Sequence, residues 1–155
     1  LAGDPLEGEA IELSARVRDV SELLAEQGPR SGKSVRLRVA YDPPCHLVHA
    51  QGISDAPLAL LNAVPGIEFV THADAEMCCG SAGTYSFTQS ALSRMVLDRK
   101  VESILAAEPD IIATGNPGCI MQIGAGLAAA GSRLSVVHPI EILDRSYARA
   151  GYYDK

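Results

Sequence analysis

Four cysteines carry the chemistry open to this chain: Cys45, Cys78, Cys79 and Cys119, with no other among its 155 residues. Each stands in a short word rich in glycine or proline: Asp42-Pro-Pro-Cys-His46, Cys78-Cys79-Gly80-Ser-Ala-Gly83 and Thr114-Gly-Asn-Pro-Gly-Cys119. Thiolates are soft ligands that satisfy both zinc and iron–sulfur iron, so a metal or cluster centre is the leading reading. Adjacent Cys78 and Cys79 point apart on any regular backbone. Both reach one centre only through a bent turn or by bridging two metal atoms, and Gly80 and Gly83 make such a turn accessible. Cys119 opens a helical segment, where the helix dipole favours a thiolate.

Polar neighbours are candidates to support that centre. His46 and His49 follow Cys45 closely enough to add a ligand or donate to sulfur, and His138 ends an apolar run beside Pro139. Asn116, Gly80 and the glycines beside Cys119 are candidate N–H donors to sulfur. Asp42 before two prolines reads as a residue that orders its own turn, and His72 reads as exposed. A Cys-His nucleophile built from Cys45 with His46 or His138 leaves three thiols unexplained. Gly80-Ser-Ala-Gly83 has neither the Lys-Ser/Thr of a P-loop nor the third glycine of a dinucleotide fingerprint.

The elements that position these residues alternate. One amphipathic helix is expected over 7–26, with Leu13, Val17, Val20 and Leu24 as its packing stripe. Val35–Tyr41 reads as a strand, Ala56–Ala63 as a short helix with Asp55 as N-cap, and Ile67–Thr71 as a second strand. A long helix over 86–107 places Leu97, Val101, Ile104 and Leu105 on the core and leaves Arg94, Asp98, Lys100 and Glu108 in water. Asp110–Thr114 is a third strand, followed by a helix from Cys119 to about Ala130 whose Gly124 and Gly126 allow close packing. Leu134–His138 is a fourth strand and Ile140–Ala148 the closing helix.

Strands alternating with helices predict an α/β fold: an open, mostly parallel sheet of about four strands with helices on both faces, a Rossmann-like three-layer arrangement. Ligands of such sheets gather outside the carboxyl ends of the strands, and every cysteine follows a predicted strand. Residues more than seventy positions apart therefore converge on one edge.

Composition narrows the partners. The net charge is −6, tryptophan is absent, and there are two Phe and five Tyr, so a nucleic-acid surface is not expected. No apolar run approaches the roughly 20 residues that span a bilayer, and the first residues lack a signal peptide's basic and apolar regions. A reducing cytoplasmic setting is expected, where four cysteines serve as ligands rather than disulfides. A first residue other than Met suggests a piece of a longer polypeptide.

The cysteine pattern resembles the cysteine-rich CCG domain of the heterodisulfide reductase B subunit and its relatives: a lone cysteine, a CCG triplet and a terminal CxxC. Here 32 residues separate Cys45 from Cys78, and 38 separate Gly80 from Cys119. From about Val39 to Tyr147 the words around the cysteines look most like the C-terminal domain of the glycolate oxidase iron–sulfur subunit. The resemblance implies one CCG-type domain over 1–155, with an N-terminal helix and linker over 1–34 and an α/β core over 35–150, cut from a longer subunit. It implies a 4Fe-4S cluster on Cys45, Cys78, Cys79 and Cys119, in a non-catalytic electron-transfer subunit. That subunit would take electrons from a flavin-containing partner oxidising glycolate to glyoxylate, bound to the rest of its own iron–sulfur chain and peripheral to any membrane.

One departure bears on this: Gln122 stands where the second cysteine of CxxC belongs. Four thiols leave open an ordinary four-thiolate cluster, an incomplete site or a four-coordinate metal, and make direct disulfide chemistry doubtful. A structural zinc module without redox activity, and a metal-free docking domain, are the competing functions.

Overall fold

The structure is a computed structural model that describes residues 2–154. Its sheet has four parallel strands, β1 (Leu37–Tyr41), β2 (Ile67–Val70), β3 (Ile111–Ala113) and β4 (Ser135–Val137), in the order β2-β1-β3-β4. The helices are α1 (Glu7–Arg16), α2 (Val20–Gln27), α3 (Asp55–Asn62), α4 (Tyr85–Thr88), α5 (Ser90–Ala106), α6 (Pro117–Ala129) and α7 (Pro139–Arg149).

Alternation along the central strands separates two cores, as a sheet covered on both faces requires. Val39, Ile111, Ala113 and Val137 face one side with Leu60 and Leu61 of α3 and Ile142 and Leu143 of α7. Ala40 and Ile112 face the other with Leu97, Val101 and Ile104 of α5 and Ile123 and Leu127 of α6. Cys79 and Cys119 are packed into this second core. The α5–α6 contact is close because Gly126 has no side chain: a Cβ there would lie 2.8 Å from Val101 Cγ2. Gly124 meets nothing within 4 Å, so of the two glycines expected to permit packing only Gly126 does so.

The strand order sets the place of the site. β1 is followed by β2 on one side and by β3 on the other, so the crevice outside the carboxyl ends of β1 and β3 is the topological switch point. Cys45 lies beyond β1, Cys119 beyond β3, and the double cysteine arrives from the loop after β2.

Several expectations are corrected. The helix over 7–26 is two helices: Asp19 caps α2, accepting from Ser21 N at 2.8 Å while Glu22 completes a capping box, and this local alternative breaks the run at Val17-Arg18. The stripe does not pack as a unit. Leu13 and Val17 are 64% and 61% exposed and α1 buries no residue, whereas Leu24 of α2 packs on the first core. Asp55 lies in the first turn of α3, after Ser54, and does not cap it. The helix over 86–107 is interrupted at Gln89 (φ −129°, ψ 48°).

Candidate metal centre

The double cysteine enters a turn that belongs to no helix or strand. Gly80 (φ +85°), Ala82 (φ +39°) and Gly83 (φ +62°) all take left-handed backbone. Gly80 is required twice over: its φ favours glycine, and a Cβ would lie 2.6 Å from the Ser93 carbonyl oxygen. Ser93 Oγ donates to the Gly80 carbonyl at 2.8 Å, and Gln122 Nε2 donates to Ser93 Oγ at 3.0 Å. The residue standing in the usual cysteine position thus braces the back of the turn through α5. Gly118 lets that turn meet α6, since a Cβ there would approach Ser81 Oγ to 3.1 Å and Asn116 Oδ1 to 2.9 Å.

The four thiols form an inner and an outer pair. Cys79 and Cys119 are 3% and 7% exposed and share a hydrogen bond, Sγ to Sγ 3.1 Å. Cys45 and Cys78 are half-buried. The Gly80 N–H donates to Cys78 Sγ at 3.3 Å. Burial pushes the Cys78 thiol up, the Gly80 N–H opposes this, and Cys79 and Cys45 add to the upward push. Cys79 is pushed down to about 7, chiefly by its bond to Cys119 and then by the Ser81 N–H, against burial. Cys119 is pushed up by that same bond and by burial. The two thiols titrate as one coupled pair that shares a proton across the Sγ–Sγ contact.

The supporting residues take different places. Asn116 caps α6: its Oδ1 accepts from Cys119 N at 3.1 Å, and its Nδ2 lies 3.1 Å from His46 Nδ1. Both groups of Asn116 are thus engaged away from sulfur, and one ring nitrogen of His46 is occupied. His138 caps α7, accepting from Ile140 N at 3.3 Å while its own N–H donates to Glu141 Oε1 at 2.8 Å. Its Nε2 faces Gly115. His49, exposed, sits on the π-helical turn His46–Ala50 that follows Cys45.

Behind the turn lies a polar network that sequence reading missed. Lys100, expected in water, is fully buried; its Nζ donates to Asp42 Oδ1 at 2.5 Å and to the Asp74 and Ala75 carbonyls at 2.7 and 3.0 Å. All three ammonium protons are used. Asp42 does not order its own turn but is buried as the counter-ion. Burial pushes it up to about 6 against the pull of Lys100, so it is ionised at neutral pH. His72, expected exposed, is buried, with Nδ1 3.2 Å from Ser103 Oγ and an unpartnered Nε2 3.6 Å from Asp42 Oδ1. Burial, with Lys100, lowers His72 to about 4, so its ring is neutral. The ion pair ties the end of β1 to the segment that delivers Cys78 and Cys79. The spacing Lys100, Ile104 on one helical face was the only signal that could have found it.

Four thiols from three loops are a donor set suited to zinc or to an iron–sulfur cluster. The inner pair is closed on itself. Two sulfurs bound tetrahedrally to one zinc at 2.3 Å lie roughly 3.8 Å apart, so Cys79 and Cys119 must separate to admit a metal. Among the described residues no group of three or more His, Cys, Asp or Glu is arranged to hold a metal ion. The donors fit such a group; their present spacing is that of paired thiols.

Comparison with known proteins gives the lineage. Lactate utilization protein A of Geobacillus kaustophilus is 34% identical over 145 residues, covering 92% of this chain and 61% of that protein. The uncharacterized protein YkgE of Escherichia coli is 30% identical over 136 residues, 86% of this chain and 57% of that one. The B chain of the fumarate reductase (CoM/CoB) of Methanothermobacter marburgensis is 34% identical over 134 residues, 85% and 27%. The chain spans from about half to about three fifths of the length of the lactate utilization proteins it matches. Residues 39–124, which run from β1 through both glycine-bounded cysteine turns into α6, match the family described as "CCG: Cysteine-rich domain", and the chain belongs to that family.

Proposed function

We propose that Cys45, Cys78, Cys79 and Cys119 hold an iron–sulfur centre, a 4Fe-4S cluster, in the electron-transfer subunit of an oxidoreductase acting on a small 2-hydroxy acid of the lactate or glycolate kind. The observation that carries this reading is the convergence of four thiols from three loops at one edge of the sheet, with Cys79 and Cys119 in contact and Cys45 near enough to both Cys78 and Cys119 to push their thiols up. The names of the relatives supply the substrate class, and the resemblance to the glycolate oxidase iron–sulfur chain supplies a flavin-containing partner as electron donor. The subunit works in the cytoplasm, bound to that partner and to the rest of its own iron–sulfur chain, and touches a membrane only through the complex.

The bound cluster supplies one-electron exchange. The chain supplies the ligands and their surroundings. N–H groups of Gly80 and Ser81 point at Cys78 and Cys79, where they stabilise thiolate charge. Asn116 fixes the backbone of Cys119, and the Lys100 ammonium behind the loop draws Cys79 towards thiolate.

Iron and acid-labile sulfide on protein purified without oxygen test this. About four of each per chain, lost in Cys79→Ser and Cys119→Ser, is the expected result. One zinc without sulfide would replace the relay by a structural zinc module, and metal-free protein would leave a docking domain.

A further inference from the structure

A cavity of about 360 Å³ opens beside the cysteine site, between the carboxyl ends of β1 and β2, the π-helical turn and α3. Its size falls in the range of small-molecule sites. Cys45 forms part of its wall, and Tyr41, Val48, Leu58, Phe69 and Val70 make the rest mostly apolar and in part aromatic. Phe69 is 42% exposed, a large apolar ring that the fold itself leaves uncovered at this mouth. The polar groups on the lining include His49, Thr71 and Glu76, and neither lysine nor arginine is among the lining residues.

That inventory selects a ligand class. A carboxylate substrate, a phosphate or a nucleotide brings negative charge, and here it would meet Glu76 with no fixed cation to offset its desolvation. A flat, uncharged ring with carbonyl acceptors instead covers the apolar wall and finds donors in Thr71 and His49. Among redox carriers, flavins and nicotinamides carry phosphates, whereas quinones have this chemistry.

We infer that the cavity walled by Cys45, Tyr41, Leu58 and Phe69 is a binding site for an uncharged quinone-type ring, held in contact with the thiol of the cysteine centre. Its use as the exit for electrons rests on the iron–sulfur reading above; its occupancy by a neutral ring does not. The 2-hydroxy acid itself is excluded from this pocket and belongs on another surface or another subunit.

The test is titration of the protein, purified without oxygen, with tetramethyl-1,4-benzoquinone, whose ring positions are all substituted against attack by thiols. Methyl resonances of Val48, Leu58 and Val70 report binding, and lactate serves as the anionic probe. Expected are saturable shifts of those methyls with the quinone and none with lactate. Leu58→Trp, which fills the cavity from α3 away from the cysteines, is expected to weaken binding at least about tenfold. Iron and sulfide are measured on the same samples, and unchanged thermal unfolding shows that the variant is folded. Absence of quinone shifts, equal binding in a folded Leu58→Trp protein, or lactate competing for the same methyls would overturn the site. Quinone binding to protein that holds no iron would leave the site standing and remove the relay.

Discussion

The inner and outer thiols differ in what stands behind them. Cys79 and Cys119 are built into the core between α5, α6 and the sheet, and their sulfurs are paired at 3.1 Å. Cys45 and Cys78 lie at the rim, at the head of a π-helical turn and at the start of a left-handed loop, each half-buried, and Cys45 also walls the cavity. Each pair takes one cysteine from the start of a helical turn, Cys119 of α6 or Cys45 before His46–Ala50, and the other from the loop after β2; burial, not secondary structure, separates them. Admission of a metal therefore requires the core-held pair, at 3.1 Å, to part.

The largest effect on this contrast is expected from its foundation. Lys100→Met leaves Asp42 as a buried carboxylate without its cation and frees the Asp74 and Ala75 carbonyls, a loss of about 3–5 kcal/mol in urea unfolding. Asp42→Leu combined with Lys100→Met is expected to recover much of it, since the charge and its counter-ion leave together. No recovery would show that the network acts through its carbonyl bonds rather than through charge.

Next in size is Gly80→Ala, which combines a left-handed φ with a Cβ 2.6 Å from the Ser93 carbonyl. A loss of about 1–3 kcal/mol is expected, with faster alkylation of Cys79 as the turn lifts from α5. Wild-type reactivity at Cys79 in that variant would break the link between the turn and the inner pair.

Thiol labelling of metal-free native protein sharpens the comparison directly. Cys45 and Cys78 are expected to react with iodoacetamide well before Cys79 and Cys119, which wait for local opening of the α5–α6 core. Mass mapping of the alkylated peptides gives the order, and four equal rates would erase the distinction.

The smallest effect is on the pH dependence of stability. His72 titrates near 4 when folded and near 6.5 when unfolded, so its contribution falls as pH drops through that window. Asp42 titrates near 6 when folded and near 3.8 when unfolded, so the folded state takes up the proton first and its contribution rises over nearly the same window. The two nearly cancel in the wild type. In His72→Asn, stability is expected to rise as pH falls from about 6 to about 4, and in Asp42→Asn to fall from about 6.5 to about 4. Denaturant midpoints across pH 4–7 would show whether the opposition exists.

Strand positions, the parallel sheet and the gathering of all four cysteines at one edge were legible in the chain. Period-two runs bounded by proline and glycine admit few other readings, and parallel crossovers force strand ends to one side. The cysteine-glycine word also announced its bent backbone, because Gly80 and Gly83 tolerate the left-handed conformations that the turn uses.

What the sequence left open concerns polar groups and which partners they find. Lys100 sits on the same face as Val101 and Ile104, but that spacing alone does not say a lysine is buried; the Asp42 carboxylate and two loop carbonyls, brought up from β1 and the segment after β2, give it a reason to be. His46, Asn116 and His138 looked available to sulfur, yet the fold spends Asn116 and His138 on helix caps and ties His46 to Asn116. The thiols available for chemistry and the edge they occupy were determined by residue type and strand order. Tertiary structure alone decided which thiols pair and which polar groups are buried, because both depend on distances between loops that the chain's own periodicity does not encode.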